Sequence, residues 1–337
     1  MLVLLGVLIV LAAGALQGAF YLPMTYTRKW EWEHSWIMFA ISGMLIFSWI
    51  IVSILVPGVM DVYRTVPARD VVVMILFGAI WGVGALLNGV AISRLGMALA
   101  FPIVLGIVAS FGALVPMAVF FPSNLLAPKG ITVILGTIIA IIGIVICSKA
   151  ESIKHPESSP AAAEKKGSFA VNLFIAIMAG LMSALMNIGF SYSGSFVEAA
   201  KQLGVSDKFA ANAVWGLILT SGGIVNIIYC LFLMAKKGTF GMFFGPETLR
   251  NMGLGTLMGL VWTVGLYLYG IGAIFMGGWG VVVGWVLFMS TIIIMGNILG
   301  LWRGEWTGAS PKARALLNRG LTILIVAIII VAVSNKL

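Results

Sequence analysis

The side chains that could do chemistry in this chain are uncharged and sit in apolar surroundings. Gln17, Asn88, Asn187, Asn212, Asn226 and Asn297 supply amides, Tyr21, Tyr192 and Tyr269 supply phenols, and Trp81, Trp262 and Trp285 supply indoles. An amide can donate and accept at once, and an indole face accepts a C–H surface, so such groups bind a neutral solute without formal charge. Spacing singles out two stripes. Trp81, Gly84 and Asn88 fall at i, i+3 and i+7 and share one helical face, and Trp262, Gly265 and Tyr269 repeat the arrangement. A glycine between an aromatic and a polar group leaves room for a ligand or for the close approach of another helix. Hydrogen bonding between helices is the competing role for every amide.

Charged chemistry is scarce. None of the 11 acids lies in the middle of an apolar stretch, and His34 and His155 are the only histidines. Cys147 and Cys230 lie in apolar stretches without metal-ligand spacing or a disulfide framework. There is no Walker A motif, no HExxH and no GxGxxG with an acidic partner. The pattern points away from an ATP-driven pump and from an enzyme, and implies no metal and no cofactor.

The elements that carry these residues are membrane spans. Mean hydropathy is +1.12, 61% of residues are apolar and 9% are charged. The spans read Leu2–Leu22, Ser35–Val56, Val71–Ile92, Gly96–Phe121, Ile131–Ser148, Phe169–Phe190, Ala210–Met234, Asn251–Ile271, Trp279–Trp302 and about Leu317–Val333. Most have the roughly 20 residues that cross a hydrocarbon core, and backbone groups in hydrocarbon must be satisfied internally, so each reads as a helix. The first span lacks a basic start and a cleavage pattern and reads as a retained helix rather than a signal peptide. Pro102 and Pro116 inside the fourth span favour a kink. The net charge of +9 suits an anionic membrane rather than nucleic acid, because the basic residues sit at span ends. With Arg319 counted at the edge of the tenth span, the loops after odd-numbered spans carry 14 Lys and Arg and the other side carries 6. That excess predicts odd-numbered loops in the cytoplasm and both termini outside.

One polar break divides the chain. Lys149–Ser168, with two prolines and mixed charge, reads as a cytoplasmic linker between five spans in 1–148 and five in 169–337. An odd number of spans per half predicts halves of opposite orientation, an inverted repeat. A shift of 181 aligns Gly78, Trp81, Gly84, Gly89 and Gly96 with Gly259, Trp262, Gly265, Gly270 and Gly277, and sets Asn88 opposite Tyr269. A shift of 166 aligns Ala13-Gly14 with Ala179-Gly180. Repeats of this kind place a solute site between the halves near the midplane.

This layout, with KWEWE at Lys29–Glu33, FGAIWGVG at Phe77–Gly84, SRLGMA at Ser93–Ala98, EAAKQLGV at Glu198–Val205 and the Glu305-Trp306 pair, resembles the bacterial L-rhamnose–proton symporter family of the drug/metabolite transporter superfamily. The likeness covers nearly the whole chain. It implies an all-α membrane protein of ten helices in two inverted five-helix repeats, located in a bacterial inner membrane. Spans 1 to 4 and 6 to 9 would surround a central cavity, with 5 and 10 outside it. It also implies proton-coupled uptake of a deoxyhexose. The residues fitted to such a sugar are Gln17, Tyr21, Trp81, Asn88, Asn187, Tyr192, Trp262, Tyr269 and Trp285. A proton carrier must change charge with access, which leaves Glu198, after the sixth span, and Glu33 with His34 at the mouth of the second. Each is otherwise a solvated helix-end group. A carrier of another sugar or small polar metabolite without proton coupling, or a membrane sensor that transports nothing, are the other readings. Neither oligomeric state nor the sugar's stereochemistry follows from the sequence.

Overall fold

The computed structural model describes residues 2–154 and 168–334. Among these residues, 10 helices are long and apolar enough to cross a membrane. They are α1 (Leu2–Ala19), α2 (Trp32–Leu55), α3 (Ala68–Leu95), α4 (Met97–Phe120), α5 (Pro128–Lys154), α6 (Phe169–Ser191), α7 (Ala213–Lys237), α8 (Thr248–Phe275), α9 (Gly280–Trp302) and α10 (Pro311–Ser334). The all-helical expectation holds, and the ends shift. α5 continues past Ser148 to Lys154, and residues 155–167 of the polar linker, with His155, lie outside the described residues. α6 stops at Ser191, and a separate short helix, Gly194–Gln202, follows, so the sixth span does not run on through Ser195.

Glycine sets the sharpest turn. Gly96 has φ 77°, a left-handed value that lets α3 reverse into α4 across a single residue. α2 is π-helical over Ala40–Phe47. The Gly43 carbonyl accepts from Ser48 N–H, and the Thr263 hydroxyl on α8 lies 2.9 Å from it and 2.7 Å from the Gly259 carbonyl.

The neighbours are ordered. α1 packs against α8 and α9, and α6 packs against α3 and α4. α7 packs against α3 and α2, and α2 also packs against α8. α5 and α10 pack chiefly on each other. Lipid gives no hydrophobic drive between helices, so close approach depends on small residues. A Cβ on Gly78 would overlap Ser221 Oγ, and one on Gly259 would overlap Ser42 Oγ. Glycines thus bring α3 against α7 and α8 against α2.

Candidate functional site

That close packing brings the middles of α3 and α8 together. Trp81 and Trp262 stack with centroids 5.9 Å apart and planes 19° from parallel. Phe39 meets Trp262 edge-on at 5.4 Å. Gln17 is buried and donates from Nε2 to the Trp262 carbonyl at 2.9 Å, fixing α1 to α8 beside the stack. On the α3 side, Trp36 donates from Nε1 to Asn226 Oδ1 at 2.9 Å, and Asn226 Nδ2 donates to the Gly222 carbonyl at 2.8 Å. The seam is an aromatic plate edged by amides, suited to a neutral solute.

The two ends of the seam differ. Towards the C-terminal ends of α6 and α8 it is sealed. Tyr269 donates to Asn187 Oδ1 at 2.5 Å, and Asn187 Nδ2 donates to the Gly112 carbonyl at 2.7 Å. Trp285 donates to the Val108 carbonyl at 2.9 Å. Trp215 stacks on Phe190 at 4.8 Å with planes 7° apart. Asn187, Tyr269 and Trp285, fitted to the sugar by sequence, are therefore bonded here to protein. Towards the C-terminal ends of α1 and α3 the seam is loose. Asn88 Oδ1 is buried without a partner, and Gly89 has no atom within 4 Å of where a Cβ would stand. Tyr21 is 42% exposed and accepts a bond from Trp32 Nε1 at 3.1 Å.

Tyr192 lies apart from the plate. It lines a cavity of about 330 Å³ directly outside the seal, with Asp70, Met74, Phe120, Ser191 and Ser195. Ser191 donates to the Asn187 carbonyl at 2.8 Å, which ties the cavity floor to the seal. Asp70 was not singled out by sequence, because a span-end acid looks solvated. Trp36 and Trp215 were also missed as site residues, and Asn226 was named as an amide but not fitted to the sugar.

The ionisable candidates separate. Glu33 is 1% exposed and His34 is fully buried, so neither is a solvated helix-end group. Lys237 Nζ stands 2.9 Å from Glu33 Oε1 and also contacts Glu31, bridging the start of α2 to the end of α7. His34 Nε2 is 2.9 Å from the Thr239 carbonyl, and its Nδ1 has no partner. Glu198 lies on the exposed side of the Gly194–Gln202 helix.

Among the described residues, ten helices long and apolar enough to span and one seam, sealed at one end and loose at the other, form the frame on which relatives can be compared. The family model for the L-rhamnose-proton symport protein (RhaT) matches residues 1–336. The chain belongs to the L-rhamnose–proton symporter family. It is 30% identical over 335 residues to the L-rhamnose-proton symporter of Shigella boydii serotype 18, covering 96% of either chain. It is 29% identical over 341 residues to that of Cronobacter sakazakii, covering 98% of this chain and 97% of the relative. The symporter of Escherichia coli O1:K1 is 29% identical over 335 residues. The family is one of membrane transporters, not enzymes.

Proposed function

We propose that the protein takes up L-rhamnose, or a closely similar deoxyhexose, together with protons, through alternating access of two inverted five-helix halves. The observation that carries this reading is the meeting of Trp81 with Trp262. These residues correspond under the 181-residue shift, and corresponding residues that touch each other lie on the axis relating the two copies. Other contacts agree. Gly84 faces Met182 and Ser183, while Gly265 faces Leu16 and Gln17, the positions matched by the 166-residue shift. Gly14 faces Phe288 and Thr291, and Gly180 faces Val104 and Ile107, partners that stand 184 residues apart in both cases. Ser42-Gly43 packs on α8 as Ser221-Gly222 packs on α3.

In this reading the sugar lies beside the indole plate. Gln17, Tyr21 and Asn88 reach it in the conformation seen, and Asn187, Tyr269 and Trp285 reach it from the other half when the seal opens. The excess of basic residues in odd-numbered loops orients the loose end to the cytoplasm and both termini to the outside. The Asp70–Tyr192 cavity is then the outer vestibule. Glu33 with His34 is favoured as the proton-carrying pair. A buried carboxylate and imidazole beside the loose end feel a change of access, whereas exposed Glu198 does not. The test is direct. L-Rhamnose added outside proteoliposomes loaded with a pH dye should acidify the lumen, and sugar entry without acidification would refute proton coupling.

A further inference from the structure

The two ends of the seam carry the same residue types in exchanged positions. Under the shifts that relate the halves, Asn88 corresponds to Tyr269 and Tyr21 to Asn187. The shift of 179 that matches Ser42-Gly43 to Ser221-Gly222 also matches Trp36 to Trp215, and the shift of 181 matches Gly89 to Gly270. At the sealed end these four positions interlock. Tyr269 bonds Asn187, both fully buried. Trp215, fully buried, covers Gly270 so closely that a Cβ there would stand 3.1 Å from its Nε1 and would overlap Asn212 Oδ1. At the loose end Tyr21 and Trp36 touch, with ring centroids 5.9 Å apart, but the set of four does not interlock. Asn88 Oδ1 has no partner, Tyr21 is 42% exposed, Trp36 is only partly buried, and nothing stands over Gly89.

We infer that Tyr21, Trp36 and Asn88 form the second gate of the carrier. It closes by a Tyr21–Asn88 hydrogen bond and by Trp36 settling onto Gly89, as the Asn187–Tyr269 gate opens. A phenol and an amide make the same bond whichever helix carries which, so the swapped order preserves the lock while the halves exchange roles. The unpartnered Asn88 carbonyl is the signature of an undone bond, since a buried polar atom is destabilising until it finds its donor. Gly89 is left bare because the closed form needs that space. The gate assignment rests on the alternating-access reading, and does not depend on which sugar is carried.

The test uses the full chain in proteoliposomes, with Cys147→Ala and Cys230→Ala as background, since both native thiols are free and buried. Asn187→Cys with Tyr269→Cys and, separately, Tyr21→Cys with Asn88→Cys are treated with a short bis-methanethiosulfonate cross-linker, because a phenol reaches farther than a direct disulfide can span, and counterflow is measured before and after reduction. Both pairs should cross-link, and each cross-link should take counterflow below the level of the same variant once reduced, a level that itself lies below the parent's because these residues also reach the sugar. A Tyr21/Asn88 pair that never cross-links while the Asn187/Tyr269 pair does, or that cross-links without lowering counterflow, overturns the inference. A second variant avoids altering the bonded pairs. Gly89→Ala meets open space in the conformation seen, and alanine is the better helix former, so the protein should fold and melt as before. In the closed gate the methyl obstructs Trp36, and counterflow should fall by about tenfold or more, the scale of overpacking a closed interface. Counterflow equal to the parent's would overturn the gate. If the parent shows no L-rhamnose counterflow although both pairs cross-link, the substrate reading fails and the gate stands.

Discussion

Removing the Trp262 ring is the sharpest probe of the seam. In water, truncating a tryptophan this buried removes a large transfer term, but here the unfolded helices also lie in lipid and that term largely cancels. What is lost is contact between rings. Trp262, 7% exposed, has two aromatic partners, Trp81 stacked and Phe39 edge-on. At about 0.5–1.5 kcal/mol per pair, Trp262→Ala should destabilise the folded state by about 1–3 kcal/mol. Trp81 has one such ring partner, so Trp81→Ala should lose about 0.5–1.5 kcal/mol by the same reckoning. The double variant should lose less than the sum, by the one pair counted twice, about 0.5–1.5 kcal/mol. Reversible unfolding in mixed micelles at rising SDS, followed by near-ultraviolet circular dichroism, supplies all four corners of the cycle. The same samples should lose L-rhamnose binding in Trp262→Ala and retain part of it in Trp262→Phe, which keeps a stacking face. A coupling below about 0.3 kcal/mol, the level of independent sites, would refute the claim that the indoles meet on the axis of the molecule.

Three further outcomes follow from the same geometry. Asn88→Ala should weaken L-rhamnose binding by about 1–3 kcal/mol if its amide bonds a buried sugar hydroxyl; isothermal calorimetry checks this, and unchanged affinity removes Asn88 from the site. Glu33→Gln should abolish accumulation driven by a pH gradient while sparing counterflow, and Glu198→Gln should leave both intact; the reverse outcome would return the coupling role to Glu198. Thiol reagents added outside the cell should label Leu337→Cys and not Pro160→Cys in a background without native cysteines; labelling of Pro160→Cys alone would invert the orientation.

Hydropathy made the ten spans legible because lipid demands long apolar runs, and it marked their ends less well, because polar residues can stay helical, as at Lys149–Lys154, and apolar ones can leave the helix, as after Ala19. The aromatic stripes were legible because a span imposes helical spacing on Trp81, Gly84 and Asn88 and on their counterparts. Which stripe residues face a solute was not legible. Tyr269 and Asn187 satisfy each other in the sealed end, whereas Asn88 and Tyr21 do not, and that contrast belongs to a conformation rather than to composition. Burial of Glu33 and His34 was hidden for another reason. Their position before an apolar run reads as a solvated helix start, and it is Lys237 at the end of α7, with Thr239 and Phe243 just after it, that covers them. Trp36 and Trp215 stood in plain sight, yet their correspondence emerges only once Ser42-Gly43 and Ser221-Gly222 are seen in matching contacts.

The central claim is that two halves cycle a deoxyhexose past the Trp81–Trp262 plate. Counterflow tests it without any ion gradient. Proteoliposomes preloaded with unlabelled L-rhamnose and diluted into a trace of labelled L-rhamnose should accumulate label transiently, and Tyr21→Cys with Asn88→Cys should accumulate less when cross-linked than after reduction. Vesicles that take up no more label than protein-free liposomes would contradict the account.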